Sequence, residues 1–169
     1  YYANEGESRE SGILYHKVLQ HIDFGASCSD KVENELDALV KQGILSDDER
    51  KAVDVQKIVN CLDTDIMRYA SENKCVREQS FMLLLPAADI GVSGATDDVL
   101  VQGVIDLWVR GERNIIVDYK LSGASAETLI AKYSAQLKLY RTAVERITGQ
   151  RVDGLYILSI NSGKVVEIA

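Results

Sequence analysis

Three charged residues lie inside runs that otherwise look like buried strands. In GVIDLWVRGERNIIVDYK, Asp106 interrupts one apolar stretch and Asp118 the next, and Lys120 follows two residues later. Charged groups in such strands are costly unless they are paired or bound to a cation. Two-residue alternation sends Asp118 and Lys120 to one sheet face with Ile116, and Val117 and Tyr119 to the other. If Arg110 pairs with Asn114 across a hairpin, Asp106 falls opposite Asp118, with Cβ atoms about 4.5–5.5 Å apart. Two bare carboxylates at that distance repel each other. A Mg²⁺ ion between them removes the repulsion, because hard cations choose oxygen ligands. A one-residue slip puts the acids on opposite faces. The alternative is a cross-strand ion pair of Asp106 or Asp118 with Lys120 on a solvated face, a common arrangement.

The elements around this hairpin decide what else can reach it. His16 lies in GILYHKVLQHIDF, an amphipathic helix beginning near Ser11 and stopped by Gly25. A lone histidine there is either a structural imidazole or a ligand, and His21, five residues on, faces elsewhere. Further helices are expected over Asp30 to Gln42, from the capping box at Ser46 and Glu49 to about Cys61, and over Thr64 to Ser71. Together they form a helical insert before the sheet. Strands are expected over Val76–Leu85, Val99–Val109, Asn114–Lys120, Val152–Ile160 and Lys164–Ile168, with residues 87–97 as a loop. A long helix from Ala126 to Thr148, closed by Gly149, carries Tyr133, Gln136 and Tyr140 on one stripe. Their polar tips suit either ordinary helix–sheet packing or contact with a phosphate backbone or a site carboxylate. The opening residues 1–10, YYANEGESRE, read as a linker or terminal edge, and 11–169 as one domain. The pattern is α/β: a mixed sheet flanked by helices.

Composition narrows the classes. A chain of 169 residues, 46% hydrophobic, suits a single globular domain. No apolar run approaches the roughly 18–20 residues of a membrane span. No leader pattern opens the chain, and the simplest compartment is a reducing cytoplasm. Cys28, Cys61 and Cys75 are widely spaced with no CxxC pair, so a zinc or iron–sulfur cage is not expected. Neither GxGxxG nor a Walker lysine loop is present, and the internal hairpin argues against a doubly wound nucleotide fold. The net charge of −7 argues against unaided nucleic-acid binding, although metal in an acidic site or a larger assembly can supply positive charge.

Taken in order, GILYH, VQGVIDLW, IIVDYK and YSAQLKLY resemble the RecB-like branch of the PD-(D/E)xK nucleases. LVKQGILSDDE followed by a helix, and then VREQSF, is similar to the nuclease domains of AddA-type helicase–nucleases of bacterial double-strand-break repair. The resemblance runs from about Ser11 to Ile168. It implies a restriction-endonuclease-like fold and a Mg²⁺-dependent DNA exonuclease, with Mn²⁺ as an alternative ion. It implies His16, Asp106 and Asp118 as metal ligands, joined by the backbone carbonyl of Tyr119. Lys120 would position or activate the attacking water. Gln136 and Tyr140 match a QxxxY motif that supports the site and contacts DNA, with Tyr133 beside them, and Glu78 matches a recurrent strand position in site support. The implied partners are single-stranded DNA delivered by a motor, helicase domains of the same polypeptide, and a second, AddB-like subunit. One departure is that Leu121 and Ser122 follow DYK where the family often has Thr and Asp, so any contact made by that threonine is missing. The rival readings are a catalytically silent module of the same fold, a standalone RecB-like exonuclease, and an unrelated binding domain whose aspartates are surface acids. Standalone relatives commonly carry a four-cysteine cluster, whose spacing is absent here.

Overall fold

The computed structural model describes residues 3–90 and 97–169. Five helices precede the sheet: α1 (Ala3–His21), α2 (Ser29–Lys41), α3 (Asp47–Ala52), α4 (Val55–Leu62) and α5 (Asp65–Ser71). Then come β1 (Lys74–Pro86), a 3₁₀ turn at Ala87–Ile90, β2 (Asp98–Arg110), β3 (Asn114–Lys120), α6 (Ala126–Thr148), β4 (Gly154–Ser159) and β5 (Lys164–Ile168). The sheet order is β1-β2-β3-β4-β5, antiparallel except between β3 and β4. A parallel pair needs a crossover connection, and α6 supplies it. The fold is thus the mixed, helix-flanked sheet expected from the sequence. Part of the loop expected over residues 87–97, namely 91–96, lies outside the described residues.

Two expectations are corrected. The first helix begins at Ala3, not near Ser11, so residues 3–10 belong to α1 instead of a linker. Those residues include Ala, Arg and three Glu, which favour helix by propensity without any apolar period to announce it. The helix expected from Ser46 to Cys61 is two helices. Val53 is extended (φ −76°, ψ 121°), and Asp54 restarts the chain by accepting from the Gln56 amide at 3.0 Å. The break is pinned from α1, where the Tyr15 hydroxyl accepts from the Asp54 amide at 3.1 Å.

Each sheet face buries its own core. Leu107, Val109, Val117 and Tyr119 pack with Leu19, Ile22, Leu36 and Met67 on the side of α1–α5. Trp108, Ile116, Leu155 and Ile157 pack with Leu137 and Tyr140 under α6. The sides of Ile116 and of Val117 and Tyr119 are those that alternation assigned. Alternation fails at one place. On β1, Val76 and then Phe81, Leu83 and Leu85 meet the α6 core, and on β2, Val101 and Ile105 and then Trp108 do. The spacings Val76 to Phe81 and Ile105 to Trp108 are odd, so both strands change the parity that faces α6. The change falls at Glu78 and Asp106, which the pairs Arg77–Leu107 and Gln79–Ile105 bracket as opposite neighbours. Glu78 has φ 51°, the one positive φ at a non-glycine among the described residues. That left-handed turn costs on the order of 1–2 kcal/mol.

The β4–β5 turn ties the sheet to the helical insert. The Gly163 amide donates to Ser159 O at 2.8 Å, and Gly163 has φ 66°. A Cβ there would meet the Asn60 carbonyl oxygen of α4 at 2.6 Å. Both backbone and space therefore demand glycine. Gly163→Ala is expected to lower stability by about 1–3 kcal/mol. Urea denaturation should show a lower midpoint at unchanged slope.

Candidate metal and active site

The site forms where β2 and β3 part. Their ladder runs from Arg110–Asn114 to Leu107–Val117 and goes no further. Carrying that register one step sets Asp106 opposite Asp118, as the Arg110–Asn114 pairing requires. In place of the next strand-to-strand bond, the Tyr119 amide donates to Asp106 Oδ2 at 2.7 Å. The carboxylate thus replaces a backbone acceptor, which gives it a fixed direction. Asp106 and Asp118 are 8% and 1% exposed.

From the other side of the rift, α1 brings His16. Its Nε2 donates to the Tyr119 carbonyl at 3.0 Å, which orients the ring. Its Nδ1 then faces Asp106 Oδ1 at 3.5 Å and Glu78 Oε1 at 3.6 Å. Ligand atoms of His16, Glu78 and Asp106 all lie within 4.8 Å of one another. Burial opposes a charge on His16, but the carboxylates of Asp106 and Glu78 outweigh it and raise its pKa to about 10. The acids therefore recruit a positive charge, supplied here by a proton on the imidazole. A divalent cation would meet the same demand, since neutral Nδ1 then offers a lone pair. Glu78 Oε1 is buried with no hydrogen-bond partner among the described residues, so an oxygen ligand is desolvated and uncommitted. Two carboxylates and an imidazole fit Mg²⁺ or Mn²⁺.

Asp118 is placed differently from the three. Its Oδ2 lies 2.6 Å from Lys120 Nζ, and its Oδ1 accepts from Gln136 Nε2 at 3.3 Å. Burial first, and then the charge of Asp106, raise its pKa from 3.8 to about 6 against the pull of Lys120. Burial works against the Lys120 charge, but Asp118 outweighs it and raises the ammonium above its ordinary pKa. Lys120 Nζ also lies 4.8 Å from the centre of the Tyr133 ring. Gln136 Nε2 donates to the Tyr140 hydroxyl at 2.7 Å, and Tyr140 meets Phe81 edge-on at 5.5 Å between centroids. Gly103 lets them meet, since a Cβ there would sit 2.9 Å from the Phe81 ring and 3.1 Å from Tyr140.

All nine residues singled out from the sequence thus meet around one rift. Glu78 stands closer to the chemistry than the support role expected of it, because it shares the three-residue cluster that Asp118 does not join. The signal was present: an acid opposite Asp106, at the point where β1 changes parity. Gly103 and Phe81 were not anticipated, since neither carries a titratable group.

The chain matches the PD-(D/E)XK nuclease superfamily over residues 3–168. It belongs to that superfamily. A relative from Alkaliphilus oremlandii, named as the AddA subunit of an ATP-dependent helicase/nuclease, is 34% identical over 167 residues, covering 91% of this chain and 14% of the relative. Proteins of the same name from Carboxydothermus hydrogenoformans and Syntrophomonas wolfei are 33% and 30% identical, covering 93% and 94% of this chain. The chain spans only 13–14% of the length of these relatives, so it corresponds to their nuclease region. PD-(D/E)XK nucleases use divalent metals, which agrees with the donor set around His16. No helix among the described residues is long and apolar enough to cross a membrane.

The raised pKa of Asp118 makes a prediction. An acid whose folded-state pKa lies above its unfolded value favours folding fully below about pH 3.8, and the benefit is lost as pH rises through about 6. At pH 8 the buried charge is a net cost. Asp118→Asn should therefore stabilise the metal-free protein at pH 8 by about 1–3 kcal/mol. The gain should shrink as pH falls from 6 toward 4. Thermal melts across that range check the sign.

Proposed function

We propose that this chain is a metal-dependent deoxyribonuclease domain that hydrolyses DNA phosphodiester bonds. The observation that carries the reading is the meeting of His16 Nδ1, Glu78 and Asp106 within 4.8 Å, in a chain of this superfamily, with Lys120 held against Asp118 beside them. His16, Glu78 and Asp106 would hold the ion, with Asp118 and the Tyr119 carbonyl as the remaining ligands. A divalent cation held there supplies Lewis acidity toward the phosphate and lowers the pKa of water.

The chain's own groups do the rest. Lys120 is held protonated by Asp118, so it acts as a fixed positive charge and proton donor, not as a base. Beside a phosphate gaining negative charge, it stabilises the transition state and orients water. Tyr133 bounds its position through the ring face. Gln136 holds Asp118 and is itself held by Tyr140, which fixes the carboxylate against rotation. Asp106 and His16 lock each other through the two sides of the Tyr119 peptide.

The finer reading follows the relatives named as helicase/nuclease AddA. The substrate is DNA in single-stranded form, passed on by helicase domains of a longer polypeptide working with an AddB-like subunit, in cytoplasmic double-strand-break repair. Mg²⁺ is the working ion, with Mn²⁺ able to replace it, and cleavage is exonucleolytic. The test is an assay on end-labelled single-stranded DNA. Cleavage is expected with Mg²⁺ or Mn²⁺ and none in excess chelator, and circular single strands should resist. Asp106→Asn and Lys120→Met should each lower the rate by about 10²–10³-fold. Unchanged metal-dependent rates in both variants would overturn the assignment.

A further inference from the structure

Arg77 precedes the strained Glu78 and points to the opposite side of the sheet edge, toward the end of α1. Its Nη1 donates to the carbonyl oxygens of Leu19, Gln20 and Ile22 at 3.2, 3.1 and 2.6 Å. Its guanidinium carbon lies 3.5 Å from the centre of the Phe24 ring, just past the helix. These carbonyls belong to the last turn of α1 and the residue beyond it, where orphan acceptors and the negative end of the helix dipole welcome a cation. The turn begins three residues after His16. One dipeptide of β1 therefore holds the helix that carries the imidazole and also contributes the carboxylate facing it, 3.6 Å away. His16 otherwise reaches the sheet mainly through its Nε2 bond to Tyr119.

We infer that Arg77 is a positioning residue for the metal site: by clamping the C-terminal end of α1 to β1 it sets the His16–Glu78 separation, and so the affinity for a divalent cation it never touches. The inference rests on the metal-dependent reading above. The strain at Glu78 supports it. A left-handed turn in mid-strand persists only where its surroundings over-determine it, and the Arg77 clamp is the adjoining restraint. A lysine cannot reproduce the clamp, because one ammonium on a flexible stem does not match a planar guanidinium stacked on Phe24.

The experiment is Mn²⁺ titration by calorimetry well below each protein's melting temperature, with the unaltered chain, Arg77→Lys, Arg77→Met, Phe24→Leu and Asp106→Asn. The unaltered chain should bind, and Asp106→Asn should lose binding. Arg77→Lys and Arg77→Met should weaken Mn²⁺ by about 10–100-fold, the range seen when a group behind a metal ligand is removed. Phe24→Leu, which keeps the carbonyl bonds but removes the stacking surface, should weaken it less. If Arg77→Lys is folded and binds Mn²⁺ as tightly as the unaltered chain, the residue is merely structural and the inference falls. If Arg77→Met does not fold, Arg77→Lys and Phe24→Leu decide by the same comparison. If the unaltered chain binds no Mn²⁺, or Asp106→Asn binds equally well, the metal reading itself fails and takes this inference with it.

Discussion

The centre of this structure is one peptide group. The bond between Asp118 and Tyr119 leads into an amide that donates to Asp106, and the Tyr119 carbonyl accepts from His16. An ordinary ladder would have spent both groups on neighbouring strands. Here a carboxylate and an imidazole take those places, so the backbone of β3 becomes the jig that sets two side chains from distant parts of the chain. Every other feature of the site follows from the ladder stopping one step early. The gap admits α1, exposes the acids to one another, and leaves Glu78 opposite Asp106 with nowhere ordinary to go.

The electrostatic consequence is a concentration of negative charge that the fold cannot leave alone. Three acids lie in line across three strands, with Asp118 almost fully buried. The protein answers with Lys120 on Asp118 and a proton on His16 between Asp106 and Glu78. Burying such pairs is seldom the stable choice when apolar residues could replace them. The raised pKa of Asp118 says the same: its ionised form is tolerated, not favoured. A core shaped only for stability would place a leucine or isoleucine there. Keeping carboxylates that disfavour folding agrees with a role in binding a cation, where the same repulsion becomes affinity.

Much of this was legible from the sequence because it depends on alternation and type. Asp106, Asp118 and Lys120 stand out as charges in apolar strands, and the hairpin register is simple arithmetic from Arg110 and Asn114. Two things were not legible. Helix α1 starts at Ala3 because residue types without apolar spacing can still favour helix, and the split at Val53 and Asp54 needs the Tyr15 hydroxyl from another element. Glu78 was underestimated for a related reason. Strict alternation places it on the face of Val76, and only the left-handed turn, matched by the parity change at Asp106, brings it toward His16. Strain of that kind is a property of the assembled sheet, not of a local word.

The charge of the whole chain fits the same division of labour. At −7 it offers no long-range attraction to a polyanion, and screening confines any local basic group to about 8 Å at physiological salt. The positive charge that matters is therefore at contact distance: Lys120, and whatever cation the acids hold. A domain arranged this way is poor at finding DNA and suited to cutting a strand already threaded against it. That is the behaviour wanted of a nuclease region that occupies about a seventh of a longer relative and, on the reading proposed here, receives its substrate from a motor. Strong intrinsic affinity would work against such an arrangement, because each strand held tightly at the cutting site would resist the translocation that brings the next bond forward.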